Sequence, residues 1–240
     1  MKSIVGILML CLPMLVVAGG GVELDEMAVD VADKASLRRG ASLYARYCQS
    51  CHSLKHMRYS RLAEDIGLSE DETKQQIIVG SRSIHDSMTT AMESVEASQW
   101  FVGISPPDLS LIARSRGSDW LYSYLRGFYL DESRPFGVNN TVYKDVAMPN
   151  VFWDLQGDQK AVFIQQDGQQ KFERFISNSR GKMTQLEFDA TIRDLVNFLV
   201  YVGEPAQLQR VSMGKYVLLF LFMFLNIVYL LKKEYWKDVH

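Results

Sequence analysis

Tyr47-Cys48-Gln49-Ser50-Cys51-His52 limits what this chain can fold around more than any other stretch. Cys-x-x-Cys-His is the attachment signature of a c-type haem. Two cysteines at i and i+3 on one helical turn lie about 5–6 Å apart, close enough to bond the two vinyl groups on one porphyrin edge. The histidine that follows is then held beneath the iron, where its imidazole serves as an axial ligand. Two other uses of a cysteine pair compete. A zinc site needs further ligands, and the only other cysteine, Cys11, lies in the apolar leader. A redox-active disulfide leaves His52 unexplained and lacks a βαβ pattern around it. With Cys48 and Cys51 committed to haem, no structural disulfide is available, and the core must hold without one.

The chain has 240 residues, 48% hydrophobic and 22% charged, which suits one medium folded domain with accessories rather than a disordered segment. Lys+Arg number 26 against 28 Asp+Glu, a balance that argues against a nucleic-acid partner. Residues 1–18 read as a cleaved secretory signal: Lys2, the apolar run Ile4–Val17, then Ala18-Gly19-Gly20-Gly21. Export agrees with haem c, which is attached on the outer side of the membrane. At the other end Tyr216–Leu231 is almost wholly apolar, and counting from Val211 gives about 21 residues, or ~31 Å of helix, a membrane span. Asn226, its one polar interruption, is placed to bond a neighbouring helix. Lys232, Lys233, Tyr235, Trp236 and Lys237 form a basic and aromatic edge that the positive-inside rule puts in the cytoplasm.

Between the ends, Glu23, Asp25, Glu26, Asp30 and Asp33 make an acidic lead-in, read as a solvated segment, with a docking patch for a basic partner as the competing reading. Leu37, Ala41, Tyr44, Cys48 and Cys51 fall on one helical stripe, with Gly40 on the same side to admit a second helix. The partner helix is expected after Met183: Thr184 and Glu187 make a capping box, Phe188, Ile192, Leu195 and Leu199 share a face, and Gly203 and Pro205 end it. Residues 161–165 and 170–176 flank Asp167-Gly168 and read as a β-hairpin. Gln75–Trp100 reads as a variable insertion without a usable motif.

Ser36-Leu37-Arg38-Arg39-Gly40 running through Tyr44 into the haem motif resembles the cytochrome c1 family, the haem subunit of cytochrome bc1 complexes. Pro106-Pro107-Asp108-Leu109-Ser110-Leu111-Ile112 with Arg114-Ser115-Arg116, the loop Ala147-Met148-Pro149-Asn150, and the anchor after Met213-Gly214 are similar to that family in the same order. The resemblance implies that Cys48 and Cys51 bind one haem c covalently, with His52 as proximal ligand. It implies that the Pro107 carbonyl takes the second His52 nitrogen, that Arg116 pairs with a haem propionate, and that Trp120 stands at an aromatic position beside it. It also assigns Met148 as sixth ligand. Position in the chain had left Met88, Met92 and Met183 as rivals among 11 methionines, while His56, His85 and His240 read more simply as surface residues. A thioether ligand favours ferrous iron and raises the potential. The 155–180 hairpin region is longer than the mitochondrial pattern.

The expected fold is therefore mainly α: a cytochrome c-like haem domain with a small β-hairpin insertion and one C-terminal transmembrane helix. The expected layout is a signal peptide at 1–18, a periplasmic haem domain at 19–210, an anchor at 211–231 and a cytoplasmic tail at 232–240, in a bacterial inner membrane. The implied function is to pass single electrons from a Rieske iron–sulfur protein to a soluble cytochrome c beside cytochrome b, in a dimeric quinol-oxidising complex. A free-standing anchored cytochrome feeding a terminal oxidase, and a thiol–disulfide oxidoreductase using Cys48 and Cys51, are the alternatives.

Overall fold

The structure, a computed structural model, describes residues 23–238 apart from 91, 93, 102 and 167. The expected signal peptide at 1–18 and His240 lie outside the described residues. In chain order these residues form α1 (Lys34–Tyr47), β1 (Leu54–Arg58), α2 (Tyr59–Ile66), α3 (Glu70–Gln76), β2 (Ser87–Met88), α4 (Ser94–Trp100), α5 (Ile112–Arg116) and α6 (Ser118–Arg126). There follow β3 (Phe128–Leu130), β4 (Val138–Asn140), α7 (Trp153–Gln156), β5 (Gln159–Gln166), β6 (Gln169–Ser177), α8 (Gln185–Gly203) and α9 (Gln207–Tyr235). Helix dominates, as expected, and the strands form antiparallel pairs β1–β2, β3–β4 and β5–β6.

The frame is the crossing of α1 and α8. Asp33 starts α1 by accepting the N–H groups of Ala35 and Ser36, each at 3.0 Å, which satisfies donors that a helix start leaves free. Thr184 and Glu187 form the expected capping box at the start of α8, the Glu187 carboxylate accepting the Thr184 N–H at 2.8 Å. The helices meet at Gly40, where a built Cβ would overlap the Asp194 carbonyl oxygen and come within 2.6 Å of the Phe198 Cβ. Absence of a side chain there lets Tyr44 and Phe198 close the crossing, their ring centroids 5.9 Å apart. Leu37, Ala41, Tyr44, Phe188, Ile192, Leu195 and Phe198 are buried at this seam, and each larger apolar side chain contributes roughly 1.5–3 kcal/mol. The Arg39–Asp194 ion pair at its edge is half open to solvent and adds at most about 1 kcal/mol.

Two readings of the sequence change. The acidic lead-in is not merely solvated: its backbone is a strap across two helices. Asp25 N–H donates to the Ser123 hydroxyl at 2.8 Å, Met27 N–H to Asp119 at 2.8 Å, and Asp30 N–H to the buried Asn197 at 3.0 Å. Met27 is buried, and Asp25 pairs with Arg126 at 2.6 Å. Nor is Gln75–Trp100 only an insertion. Its β2 pairs with β1, Leu54 opposite Met88, so the residues just after His52 are held by this segment. Met88 is fully buried.

The hairpin forms with Gly168 at φ +77° in its turn, a conformation glycine adopts without strain. Phe163 packs edge-on against Tyr129 of β3 at 5.7 Å and against Phe172 at 6.1 Å. The Gln159 amide donates to the carbonyls of Arg126 and Phe128 at 2.9 and 2.7 Å, so the base of the hairpin is tied to the domain. Helix α9 has 29 residues, a mean hydropathy of 2.0 in its most apolar stretch, and none of that stretch buried against the domain. At ~1.5 Å per residue it is long and apolar enough to cross a membrane. The exposed Asn226 amide donates to the Phe222 carbonyl of its own helix at 2.7 Å. At the foot of α9 the Glu204 carboxylate receives Arg114 at 3.1 Å and also Arg210. Those guanidiniums, Arg210 foremost, hold the Glu204 carboxyl below its usual range and join α5 to the start of the apolar helix.

Candidate functional site

Helix α1 stops at Tyr47, so the cysteines lie just past it, in a turn of their own. The N–H groups of Cys51 and His52 both donate to the Cys48 carbonyl, at 3.0 and 2.8 Å, which keeps the two thiols on one turn. Cys48 is buried and Cys51 is partly open; both thiols are free. Burial, reinforced by the neighbouring Cys51, pushes the Cys48 thiol up to about 12. A thiol held protonated is a poor exchange nucleophile, which counts against the thiol–disulfide reading.

His52 is 9% exposed, and its Nδ1 lies 2.8 Å from the Pro107 carbonyl oxygen. A carbonyl only accepts, so Nδ1 carries the proton and Nε2 keeps its lone pair. Burial lowers the His52 pKa, outweighing the upward pull of the Pro107 bond and the Asp108 charge. The ring is thus a neutral imidazole with one nitrogen tied down and the other ready to ligate. The Tyr44 hydroxyl donates to the His52 carbonyl at 2.6 Å, anchoring the residue's backbone to the helix crossing.

Asp108, which the sequence reading passed over, fixes the Pro107 carbonyl. Its carboxylate accepts the N–H groups of Lys55 and Ser110, each at 2.9 Å. Leu109 N–H meanwhile donates to the Ser53 carbonyl at 2.8 Å. A Pro-Asp-Leu-Ser string is an Asx-turn signal that sequence reasoning can find. What such a signal lacks is the partner strand. Burial alone would raise the Asp108 pKa, but the Ser110 hydroxyl and the two N–H groups hold it below the ordinary carboxylate value. A depressed carboxyl stabilises the fold above its unfolded pKa and loses that contribution as pH falls through the lower folded value. Asp108→Ala should therefore cost about 1–2 kcal/mol at neutral pH, with the gap from wild type closing as pH drops below ~4. Thermal melts across that range measure it; a gap independent of pH would contradict the role.

Arg116, Trp120 and Met148 form a second group. The Arg116 guanidinium stands 5.1 Å from the Trp120 ring centroid, and among the described residues it makes no ion pair. Trp120 stacks on Tyr124 at 4.8 Å and 9°, and the Tyr124 hydroxyl lies 3.5 Å from the Met148 Sδ. Tyr124 was not singled out from the sequence; its i+4 spacing from Trp120 was the available signal. The rival methionines are placed otherwise. Met88 is sealed in the core, Met183 takes the Thr191 hydroxyl at 3.6 Å, and Met92 is half-buried, its N–H bonded to Thr90. His56 and His85 are exposed, as expected of surface residues.

These residues fit a haem: paired thiols on one turn, and beside them a neutral buried imidazole whose outer nitrogen is already satisfied. With haem c bound covalently, a domain of this kind is a c-type cytochrome, an electron carrier of electron-transport chains. The profile of the Cytochrome C1 family matches residues 25–239, and the chain belongs to that family. It is 46% identical to a cytochrome c1 of Allochromatium vinosum, over 94% of this chain and 93% of the other. It is equally similar, at 46% over 93% and 92%, to a protein of Nitrosomonas europaea called ammonia monooxygenase gamma subunit. A Bradyrhizobium diazoefficiens protein called cytochrome b/c1 is 27% identical over 87% of this chain, which spans 34% of that longer polypeptide.

Proposed function

We propose that this chain is the haem-carrying subunit of a quinol-oxidising cytochrome bc1 complex, taking single electrons from a Rieske iron–sulfur protein and passing them to a soluble cytochrome c. Haem c supplies the one-electron centre; the chain's residues hold and tune it. Cys48 and Cys51 are the thioether donors, and His52 offers Nε2 as the proximal ligand because Pro107 occupies Nδ1. Met148 would offer its sulfur to the haem iron as the sixth ligand. Arg116, held over Trp120 with no acidic partner among the described residues, is set to meet a propionate. The observation that carries this reading is the 2.8 Å bond from His52 to Pro107, because it leaves one unprotonated nitrogen next to two thiols.

The layout follows the sequence reading: a leader at 1–18, the haem domain at 19–210 in the periplasm, a span at 211–231, and the basic tail at 232–240 in the cytoplasm. The Bradyrhizobium relative, whose name joins b and c1, supports cytochrome b as a neighbour; a dimeric complex is the expected assembly. Purification in mild detergent tests the partners. Isolation with cytochrome b and the Rieske protein is the expected result. A solitary anchored cytochrome would favour donation to a terminal oxidase, and isolation with monooxygenase subunits would favour the role in the Nitrosomonas relative's name.

A further inference from the structure

The loop between Cys48 and His52 is held by the segment that carried no sequence motif. Strand β2 pairs with β1 and returns the chain to the haem turn, where Thr90 makes three hydrogen bonds. Its hydroxyl donates to the Ser50 carbonyl at 2.6 Å and accepts the Met92 N–H at 3.1 Å. Its own N–H donates to the Ser53 hydroxyl oxygen at 2.9 Å. Ser50 lies between the two cysteines and Ser53 follows the histidine, so Thr90 brackets Cys51 and His52 from both sides. Further restraints on this turn come from the Cys48 carbonyl, Tyr44, Pro107 and, through Ser53, Leu109. The Ser50 carbonyl is held by the Thr90 hydroxyl in an exposed bond, whereas Ser53 is buried.

We propose that Thr90 is a positioning residue for the haem ligand, clamping the Ser50–Ser53 backbone so that the His52 ring keeps one orientation. The proposal rests on the assignment of Cys48, Cys51 and His52 to haem. Pro107 restrains the ring at Nδ1, while Thr90 restrains the peptide that carries it, and the two act through different bonds.

The full-length holoprotein is compared with Thr90→Val and Thr90→Ser by amide hydrogen exchange and by electron paramagnetic resonance of the ferric state. Valine keeps the branched shape and removes the hydroxyl; serine restores the hydroxyl. In Thr90→Val, exchange at Cys51, His52 and Ser53 should quicken about tenfold, the ratio that a lost net hydrogen bond of ~1.4 kcal/mol sustains. The low-field ferric signal, sensitive to imidazole orientation, should shift or broaden. Thr90→Ser should match wild type, and α8 should exchange unchanged in both. Valine behaving as wild type, or loosening α8 equally, would overturn the clamp while the haem assignment stood. Wild-type protein without covalent haem by mass would sink the assignment, and this proposal with it.

Discussion

Met148→Leu is expected to abolish the methionine–iron charge-transfer absorption of the ferric protein and to lower the midpoint potential by on the order of 100 mV, within the ~0.8 V span that axial ligation commands. Leucine nearly matches methionine in volume, so the loop should stay packed and only the sulfur is lost. The matched control is Met183→Leu, which should change neither quantity. Its sulfur takes the Thr191 hydroxyl in the second turn of α8, whereas the Met148 sulfur faces Tyr124. A redox titration with absorption spectra distinguishes them. If the two variants exchange behaviours, the sixth ligand is Met183, and the loop before α8 must be what crosses the haem face.

Gly40→Ala should produce a large loss of stability from a single methyl group at the α1–α8 crossing. The added Cβ would collide with the Asp194 carbonyl and press on Phe198, and neither helix backbone can yield without opening the α1–α8 seam. Overpacking of this kind costs about 3 kcal/mol, or roughly 10 °C in melting temperature for a domain of this size. Gly214→Ala is the contrast: nothing lies within 4 Å of its built Cβ, it sits inside α9, and alanine is the better helix former. It should leave the domain's melting temperature unchanged. Thermal melts followed in the haem absorption band measure both, and a Gly40→Ala protein melting with wild type would mean that the helices do not meet there.

Much of this molecule is legible in the residues because it is set locally. The capping box at Thr184, the end of α8 at Gly203, the hairpin around Gly168 and the apolar run of α9 each depend on neighbours within a few positions. Chemistry and spacing reveal them directly. The crossing at Gly40 is nearly as visible, since a glycine on a buried stripe has few other uses. The reading was incomplete where a segment's meaning lay in a distant partner. The acidic lead-in looks solvated by composition, yet its N–H groups bond to Ser123, Asp119 and Asn197.

Taken alone, the order of residues determined that the chain carries a covalent cofactor on one turn, closes it with two crossing helices and ends in an apolar helix. Covalent attachment, helix periodicity and hydrophobic length are properties of short windows. Tertiary structure alone decided which groups hold the turn in place, Asp108 against Lys55 and Thr90 against Ser50 and Ser53, and which group meets the Met148 sulfur, Tyr124. Such bonds join residues far apart in the chain and need only one ordinary donor and one ordinary acceptor. No spacing or composition marks them until the backbone has brought both ends within ~3 Å.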